Sequence, residues 1–252
     1  EWNSGLIEKQ LLSYMFRVNY DYNNKYLLTV SGRWDGASQL AEGNKWAFFP
    51  SAALGWRLDQ EEFLKDVTWL NQLKFRLGVG VTGNSAIDPY QTKGAIVSLY
   101  YPFGATLAPG YAASEPLIKD GAVAMANKDL SWEKTTQYNI GLDYSVLNGR
   151  ISGVLDFYTS RTTDLLMAMT IPSLNGYTNT YANVGKTSNI GVDITLNTVN
   201  IKTRDFEWST SINAAWQKDK IDELANGKED DINNNWFIGQ ALGVIYGYDC
   251  RG

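Results

Sequence analysis

The feature that most limits the fold of this sequence is an alternation of apolar and polar residues along extended stretches, which is least regular in 150–162, where Val154 and Tyr158 lie on the polar face. In one of them, for example, Val192, Ile194 and Leu196 are separated by single polar residues. A period of two predicts a β-strand with one apolar and one polar face. Such stretches predict eight strands, near residues 11–22, 25–36, 46–58, 72–82, 136–147, 150–162, 187–199 and 206–218.

The length of these strands narrows the fold class further. Most run to eleven or more residues, whereas strands of soluble proteins usually have about five or six. A tilted strand needs about 9–11 residues to cross a bilayer. Long alternating strands with a polar second face are typical of outer-membrane barrels. The sequence therefore predicts an all-β fold, an antiparallel transmembrane β-barrel.

The connections support this topology. Short turns at Asn23-Asn24, Asn148-Gly149 and 202–205 alternate with long connections at 37–45, 83–135, 163–186 and after 219. Asn-Gly favours a tight hairpin because both turn positions need positive φ. If sequential strands pair, the short turns lie at one end of the strands and the long loops at the other.

Two local features lead to specific expectations. The connection 59–71 predicts a small helix with Asp59 as its N-cap. Pro50 lies within a predicted strand, where it cannot donate a hydrogen bond, and this predicts a bulge.

Aromatic residues form two groups along the strands. Bands of Trp and Tyr at both strand ends are expected of a barrel, because these rings prefer the headgroup zone. In a soluble β-sandwich, the alternative fold, the same rings would fill the core. The predicted bands consist of Tyr22, Tyr26, Trp56, Tyr144 and Trp208 towards the turns, and Trp34, Trp46, Tyr138 and Trp216 towards the loops.

Composition excludes several function classes. The chain has no His and only one Cys, Cys250, so no Ser-His-Asp relay, usual zinc site or internal disulfide can form. The net charge of −5 disfavours a nucleic-acid partner. We therefore expect no enzymatic activity, no catalytic residues, no cofactor and no metal.

The first residues do not resemble a signal peptide, and no apolar run is long enough for a transmembrane helix.

Two apparent motifs carry less weight. Residues 78–83 fit the pattern GxGxxG but lie inside an alternating strand with no helix after them, so they do not predict nucleotide binding. The three acids at 229–231 lie in a polar stretch, and we expect them to be solvated.

Several longer segments resemble SusC/RagA-type TonB-dependent outer-membrane transporters. They occur in the family's order and cover most of the chain, although Lys128 and Asp193 stand where the family often has Pro and Glu. The matching segments are AFFPSAALGWR at 47–57, FRLGVGVTGN at 75–84, LSWEKTTQYNIG at 130–141, and the shorter motifs at 148–151, 156–158, 162–166, 183–185 and 189–193.

This resemblance implies a barrel-wall portion of a TonB-driven importer of oligosaccharides or peptides in the outer membrane of a Bacteroidetes-like Gram-negative cell. It implies that residues 1–252 are part of a wider barrel domain, from its C-terminal half, without plug or signal peptide. The implied partners are outer-membrane lipid, a SusD-like surface lipoprotein, TonB acting through an N-terminal region, and the glycan or peptide ligand. The alternative function is that of a soluble β-sandwich for carbohydrate binding or cell-surface adhesion.

Two sets of residues are candidates for contacts inside such a barrel. Loop aromatics could stack on sugar rings or simply pack the loops together, and the sequence leaves both possibilities open. They are Tyr100, Tyr101, Phe103, Tyr111, Tyr177, Tyr181 and Trp236. The candidates for the lumen face are Arg17, Arg33, Arg57, Arg76, Asp143 and Asp193.

Overall fold

A computed structural model describes residues 6–93, 96–104, 106–113, 124–172, 174, 179–245 and 247. Its strands are β1 Leu11–Tyr22, β2 Tyr26–Ala37, β3 Trp46–Arg57, β4 Leu70–Asn84, β5 Ile96–Phe103, β6 Thr106–Ala113, β7 Ala124–Met125, β8 Glu133–Val146, β9 Ile151–Thr163, β10 Leu166–Thr170, β11 Asn179–Asn183, β12 Lys186–Lys202 and β13 Glu207–Glu223.

One large antiparallel sheet dominates the structure. Its strand order is β1-β2-β3-β4-β8-β9-β12-β13, so the eight strands predicted from the alternation are its eight members. The sheet is open, with β1 and β13 at its two edges. We call the end with the short hairpin turns the turn end, and the opposite end, where the long connections leave, the loop end.

The pairing register keeps like residues on the same face. Leu142 lies opposite Phe75 on β4 and Leu155 on β9, and this row belongs to the apolar face. One residue along, Gly141 lies between Arg76 and Asp156 on the polar face. Since a shift by one residue would exchange the faces of a strand, the alternation and the register are mutually consistent.

The short turns adopt the backbone that their residues favour. Asn23 and Asn24 have φ of 54° and 53°, as type I′ turns require. At the second turn, Leu147 joins Asn148 and Gly149 in the positive region. The Leu147 N–H donates to the Trp69 carbonyl at 2.8 Å, so the neighbouring connection supports this unusual leucine conformation.

The predicted helix in the connection 59–71 is wrong in detail. The chain forms two single-turn 3₁₀ helices, Leu58–Gln60 and Glu62–Leu64. Asp59 lies inside the first and caps neither. Its carboxylate accepts hydrogen bonds from the Arg57 guanidinium at 2.7 Å and from the Leu73 N–H at 3.2 Å, and it thereby ties the connection to β4.

The bulge predicted at Pro50 is also wrong. The ladder between β2 and β3 runs past Pro50, opposite Gly32, without a register shift. The ladder between β3 and β4 reaches only Ser51, opposite Gly80. Pro50 thus lies one residue beyond that ladder, where β3 has a single paired neighbour and a residue without an N–H is tolerated.

The long connections contain strands that the alternation did not predict. β5 and β6 form a hairpin, and β10, β11 and β7 form a separate small sheet. At the loop end, the connections and strand ends bury a hydrophobic cluster, which we call the loop-end core. It consists of Ala37, Leu40, Phe49, Ile87, Leu130 and Trp132.

No helix in the described ranges is both long and apolar enough to cross a membrane.

Candidate functional site

The apolar face carries aromatic clusters at both ends, as predicted. At the turn end, Tyr26 stacks between Tyr22 and Trp56, with ring centroids 6.5 and 6.4 Å apart. At the loop end, Trp46 contacts Tyr14 and Trp34 at 6.1 and 6.2 Å. These rings lie on the surface of the sheet, as expected for residues at a membrane interface.

The turn-end cluster is joined by one carboxylate. Glu61 Oε1 accepts hydrogen bonds from the Trp56 indole N–H at 3.0 Å and the Tyr26 hydroxyl at 2.8 Å. Its other oxygen accepts from Lys25 at 3.3 Å. The bonds from Trp56 and then from Tyr26, with the Lys25 ammonium beside them, hold the pKa of Glu61 below its ordinary value. Glu61 thus ties the connection between β3 and β4, residues 58–69, to the aromatic band.

On the polar face, three charged residues from three adjacent strands meet. Arg76 on β4 donates to Asp143 on β8 at 2.9 Å and to both carboxylate oxygens of Asp156 on β9 at 3.0 and 3.1 Å. All three side chains are partly buried. We call this group the ionic triad.

Gly141 makes the ionic triad possible. It lies on β8 between Arg76 and Asp156, so the arginine reaches across this position. A Cβ added to Gly141 would lie only 2.5 Å from Asp156 Oδ1 and 2.6 Å from Arg76 Nη2. Substitution by any larger residue would therefore push the arginine and the aspartate apart.

The other charged candidates share this face but do not join the ionic triad. Arg33 pairs with Asp35, and Arg57 with Asp59, both at 2.7 Å. Asp193 lies directly opposite Asp156 in the register of β9 and β12 and is exposed. Arg17 lies opposite Ser31 and therefore on the same face of the sheet as the other candidates.

The charges on the polar face are divided between the two halves of the sheet. Strands β1 to β4 contribute most of the cations, and β8 to β13 most of the acids, with the ionic triad at the boundary. The cations are Arg17, Arg33, Arg57, Lys74 and Arg76, and the acids of the second half include Glu133, Asp143, Asp156, Asp193, Glu207 and Asp219.

The candidate loop aromatics are dispersed. Tyr181 lies on β11, packs against the loop-end core and accepts a hydrogen bond at its carbonyl from Asn127. Trp236 lines a cavity of about 450 Å³, together with Met167, Met169 and the acids at 229–231, and we call it the Trp236 cavity. The backbones of Tyr100, Tyr101, Phe103 and Tyr111 lie on the β5–β6 hairpin, and Tyr177 lies outside the described residues.

Sequence reasoning missed two residues that organise these sites. Asp156 occupies the same face as Arg76 by its register, so the alternation of β9 could have identified it. For Glu61 no sequence signal existed, because its contacts depend on how the connection folds back onto the sheet.

Comparison with known proteins agrees with this architecture. Residues 2–247 match the family described as TonB dependent receptor-like, beta-barrel. The chain is 41% identical to the TonB-dependent receptor SusC of Bacteroides thetaiotaomicron over 231 residues, which cover 88% of this chain and 22% of SusC. It is 34% identical to the TonB-dependent receptor P3 of Formosa agariphila over 261 residues, covering 99% and 25%.

A solved structure gives the same result. The RagAB peptide transporter superimposes with a TM-score of 0.79 and 30% identity, covering 92% of this chain and 25% of that chain. This chain thus spans about a quarter of the length of the relatives it matches. The relatives are named as receptors and transporters, and they do not favour the soluble β-sandwich. We conclude that the chain belongs to the TonB-dependent receptor-like β-barrel family, is of the SusC/RagA type, and forms part of the wall of an outer-membrane barrel.

Proposed function

We propose that the protein containing this chain imports oligosaccharides or peptides across the outer membrane, driven through TonB. The observation that carries this proposal is the two-faced sheet, with an apolar, aromatic-banded face and a charged face organised by the ionic triad. A wall of this kind separates lipid from a polar lumen. The names of the relatives, which include a peptide transporter, support the same activity.

In this proposal the polar face is turned towards the lumen. Arg76 and Asp143 would stiffen the wall, because the ionic triad links three strands across the hydrogen-bonded ladder. Arg17 and Asp193, which have no ion pair within 4.0 Å among the described residues, would be available to whatever fills the lumen. Arg33 and Arg57 would present partly neutralised charges there.

The loop end is the proposed side of ligand entry. Here the long connections build the loop-end core and the Trp236 cavity, so a SusD-like surface lipoprotein would contact this end. Trp236 and Tyr181, with Tyr100, Tyr101, Phe103, Tyr111 and Tyr177, remain the proposed loop aromatics for ligand contact. TonB would act from the opposite side. We expect the wall to have no enzymatic role.

Uptake in the native host tests this proposal. A strain lacking the gene, complemented with the wild type, should regain growth on its oligosaccharide or peptide source, and only when TonB is intact. Fractionation should place the protein in the outer membrane. Growth that persists without TonB, or recovery of the folded protein from the soluble fraction, would contradict the proposal.

A further inference from the structure

A cavity of about 840 Å³ opens at the loop end, beside the loop-end core. Its walls come from the segment before β1, the connection between β2 and β3, residues 89–93 and Lys128. Its volume falls within the range of pockets that enclose small ligands. The ionic triad and the Trp236 cavity share none of its residues.

The charged residues at the cavity have a small positive excess, although the chain has a net charge of −5. Lys45, Lys93 and Lys128 line it, and none of them has an ion-pair partner within 4.0 Å among the described residues. Two acids, Glu8 and Glu42, also line it, so the three cations exceed the acids by one. Glu8 accepts a hydrogen bond from the Gln10 side chain at 2.7 Å. The cavity therefore presents three ammonium groups that have no ion pair in the described part of the chain.

A buried amide supplies a second indication of a ligand. Gln39 lines the cavity and is only 2% exposed. Its Nε2 donates to the carbonyl and hydroxyl oxygens of Ser85 at 2.8 and 3.1 Å, which fixes the orientation of the amide. Its Oε1 is buried and has no hydrogen-bond partner in the described structure. Buried acceptors are nearly always satisfied, so this oxygen requires a donor that the protein does not supply, either a water molecule or a ligand hydroxyl.

Tyr90 adds an aromatic wall in a strained conformation. Its φ is +73°, a backbone geometry that is unusual for an aromatic residue and is often found at ligand clamps. Its hydroxyl accepts a hydrogen bond from the Glu8 N–H at 3.3 Å, while the residue stays 45% exposed. The ring is thus held at the cavity wall with part of its surface free.

We propose that this cavity is a subsite for an acidic oligosaccharide, one that carries uronate carboxylates or sulfate groups. The proposal rests on the import function proposed above and assigns the ligand class. Tyr90 packs against the apolar face of a sugar ring, Gln39 accepts a hydrogen bond from a sugar hydroxyl, and the lysines pair with the acidic groups. Neutral amides and hydroxyls beside one aromatic ring suit a hydroxyl-rich sugar better than a peptide.

Binding to matched ligands tests the proposal. The full-length protein is titrated with hexa-galacturonate and its neutral methyl ester, with sulfated isomaltohexaose and unsulfated isomaltohexaose, and with hexa-glutamate. At least one acidic sugar should bind about tenfold more tightly than its neutral counterpart, as expected for several exposed ion pairs together. Added salt should weaken the binding of that acidic sugar and leave its neutral counterpart unaffected.

A triple variant, K45Q/K93Q/K128Q, should lose the preference for the acidic sugar and bind the acidic sugar and its neutral counterpart equally. The matched control K65Q/K202Q/R204Q removes the same charge at the turn end and should bind like the wild type. Tyr90→Ala should weaken the binding of acidic and neutral sugars alike. The proposal is overturned if no acidic sugar is preferred, if the lysine triple variant binds unchanged, or if only hexa-glutamate depends on the three lysines.

Uptake separates this failure from failure of the import function. If the lysine triple variant still supports TonB-dependent growth and binds acidic sugars like the wild type, the subsite is wrong and import stands. If TonB has no effect on growth with the wild type, the import function itself fails.

Discussion

At the loop end of the sheet, Leu40, Phe49 and Trp132 are buried in a core, whereas no apolar side chain among the described residues is buried at the turn end. The turn end is held by tight turns and by the hydrogen bonds of Glu61. Most of the difference follows from connection length, although the longer turn-end connection, residues 58–69, also buries no apolar side chain and leaves Phe63 and Trp69 exposed. Short turns have too few side chains to cover one another, while long connections outside the bilayer must bury their own apolar residues from water.

The strands between the two ends differ from both in the exposure of their apolar side chains. Their apolar side chains stay exposed in the structure because lipid covers them in the membrane. The loop end, the middle and the turn end therefore respond differently to substitution, and the following four predictions test this, from the largest expected effect to the smallest.

Removing Trp132 should have the largest effect. Its ring packs edge-on against Phe49 at 5.3 Å, and its indole N–H donates to the Lys45 carbonyl at 2.9 Å. We expect Trp132→Ala to cost about 3–5 kcal/mol of stability at the loop end. Hydrogen exchange at the Ala41 N–H, which donates to the Leu130 carbonyl, measures this loss. Trp46→Ala is the control, since Trp46 is 45% exposed, and an equal loss there would contradict a buried core.

A charge in the middle of the apolar face should cost slightly less. Leu142→Arg places a cation among Phe75 and Leu155 on the lipid side, which costs about 2–4 kcal/mol near the bilayer midplane. Ile194→Arg should behave in the same way. Folding of the barrel into vesicles, followed by denaturant titration, measures the difference. Gln137→Arg on the polar face is the control, and a larger cost there would show that the faces are reversed.

Crowding the ionic triad should cost about 1–3 kcal/mol, because charge-assisted hydrogen bonds in a partly buried site are lost. Gly141→Ala forces a methyl group against Asp156 and Arg76. Gly78→Ala on the adjacent strand is a close control, since its nearest neighbour, Asn139 Cβ, lies 3.9 Å from the added atom. Folding into vesicles with denaturant titration again measures the stability. Equal stability of the two alanine variants would contradict a structural role of the ionic triad.

The smallest effect is expected at the turn end. Because the folded-state pKa of Glu61 is lowered, its stabilisation is present above the unfolded carboxyl pKa. It is lost as the pH falls through the lower folded-state value. The variant Glu61→Gln should therefore be slightly less stable than the wild type at neutral pH. In acid, where the wild type loses the stabilisation from Glu61, the two proteins should have similar stability. Thermal unfolding at pH 7 and below pH 4 tests this. Glu62→Gln is the control for an exposed carboxylate whose pKa is lowered chiefly by Lys65, without ring contacts.

The eight long strands and their two faces could be predicted because alternation is a local property of the chain. Each of the eight predicted strands is present, with ends that move by a few residues. Pro50 and Asp59 show where local reasoning fails. Proline is tolerated because of where the neighbouring ladder ends, and Asp59 bonds to Leu73 far along the chain.

The family motifs illustrate the same limit. Asn183 and Ser131 belong to separate motifs of the sequence, yet the Asn183 side chain exchanges two hydrogen bonds with the Ser131 backbone, at 2.7 and 2.9 Å. The motifs indicated the family, but they did not show that these residues fasten two long connections together. The strands β10 and β11 were missed for a related reason, since short strands carry too few residues for a period to be recognised.

By itself, the sequence determined the number of wall strands, the assignment of residues to an apolar or a polar face, and the family. These depend on a period of two and on ordered motifs, which are present before folding. Only the tertiary structure decided which charges meet, how Gly141 lets Arg76 reach Asp156, and that Gln39, Tyr90 and three lysines surround one cavity. Such contacts join residues from distant segments, so they arise only when strand register and connection folding have set the distances between them.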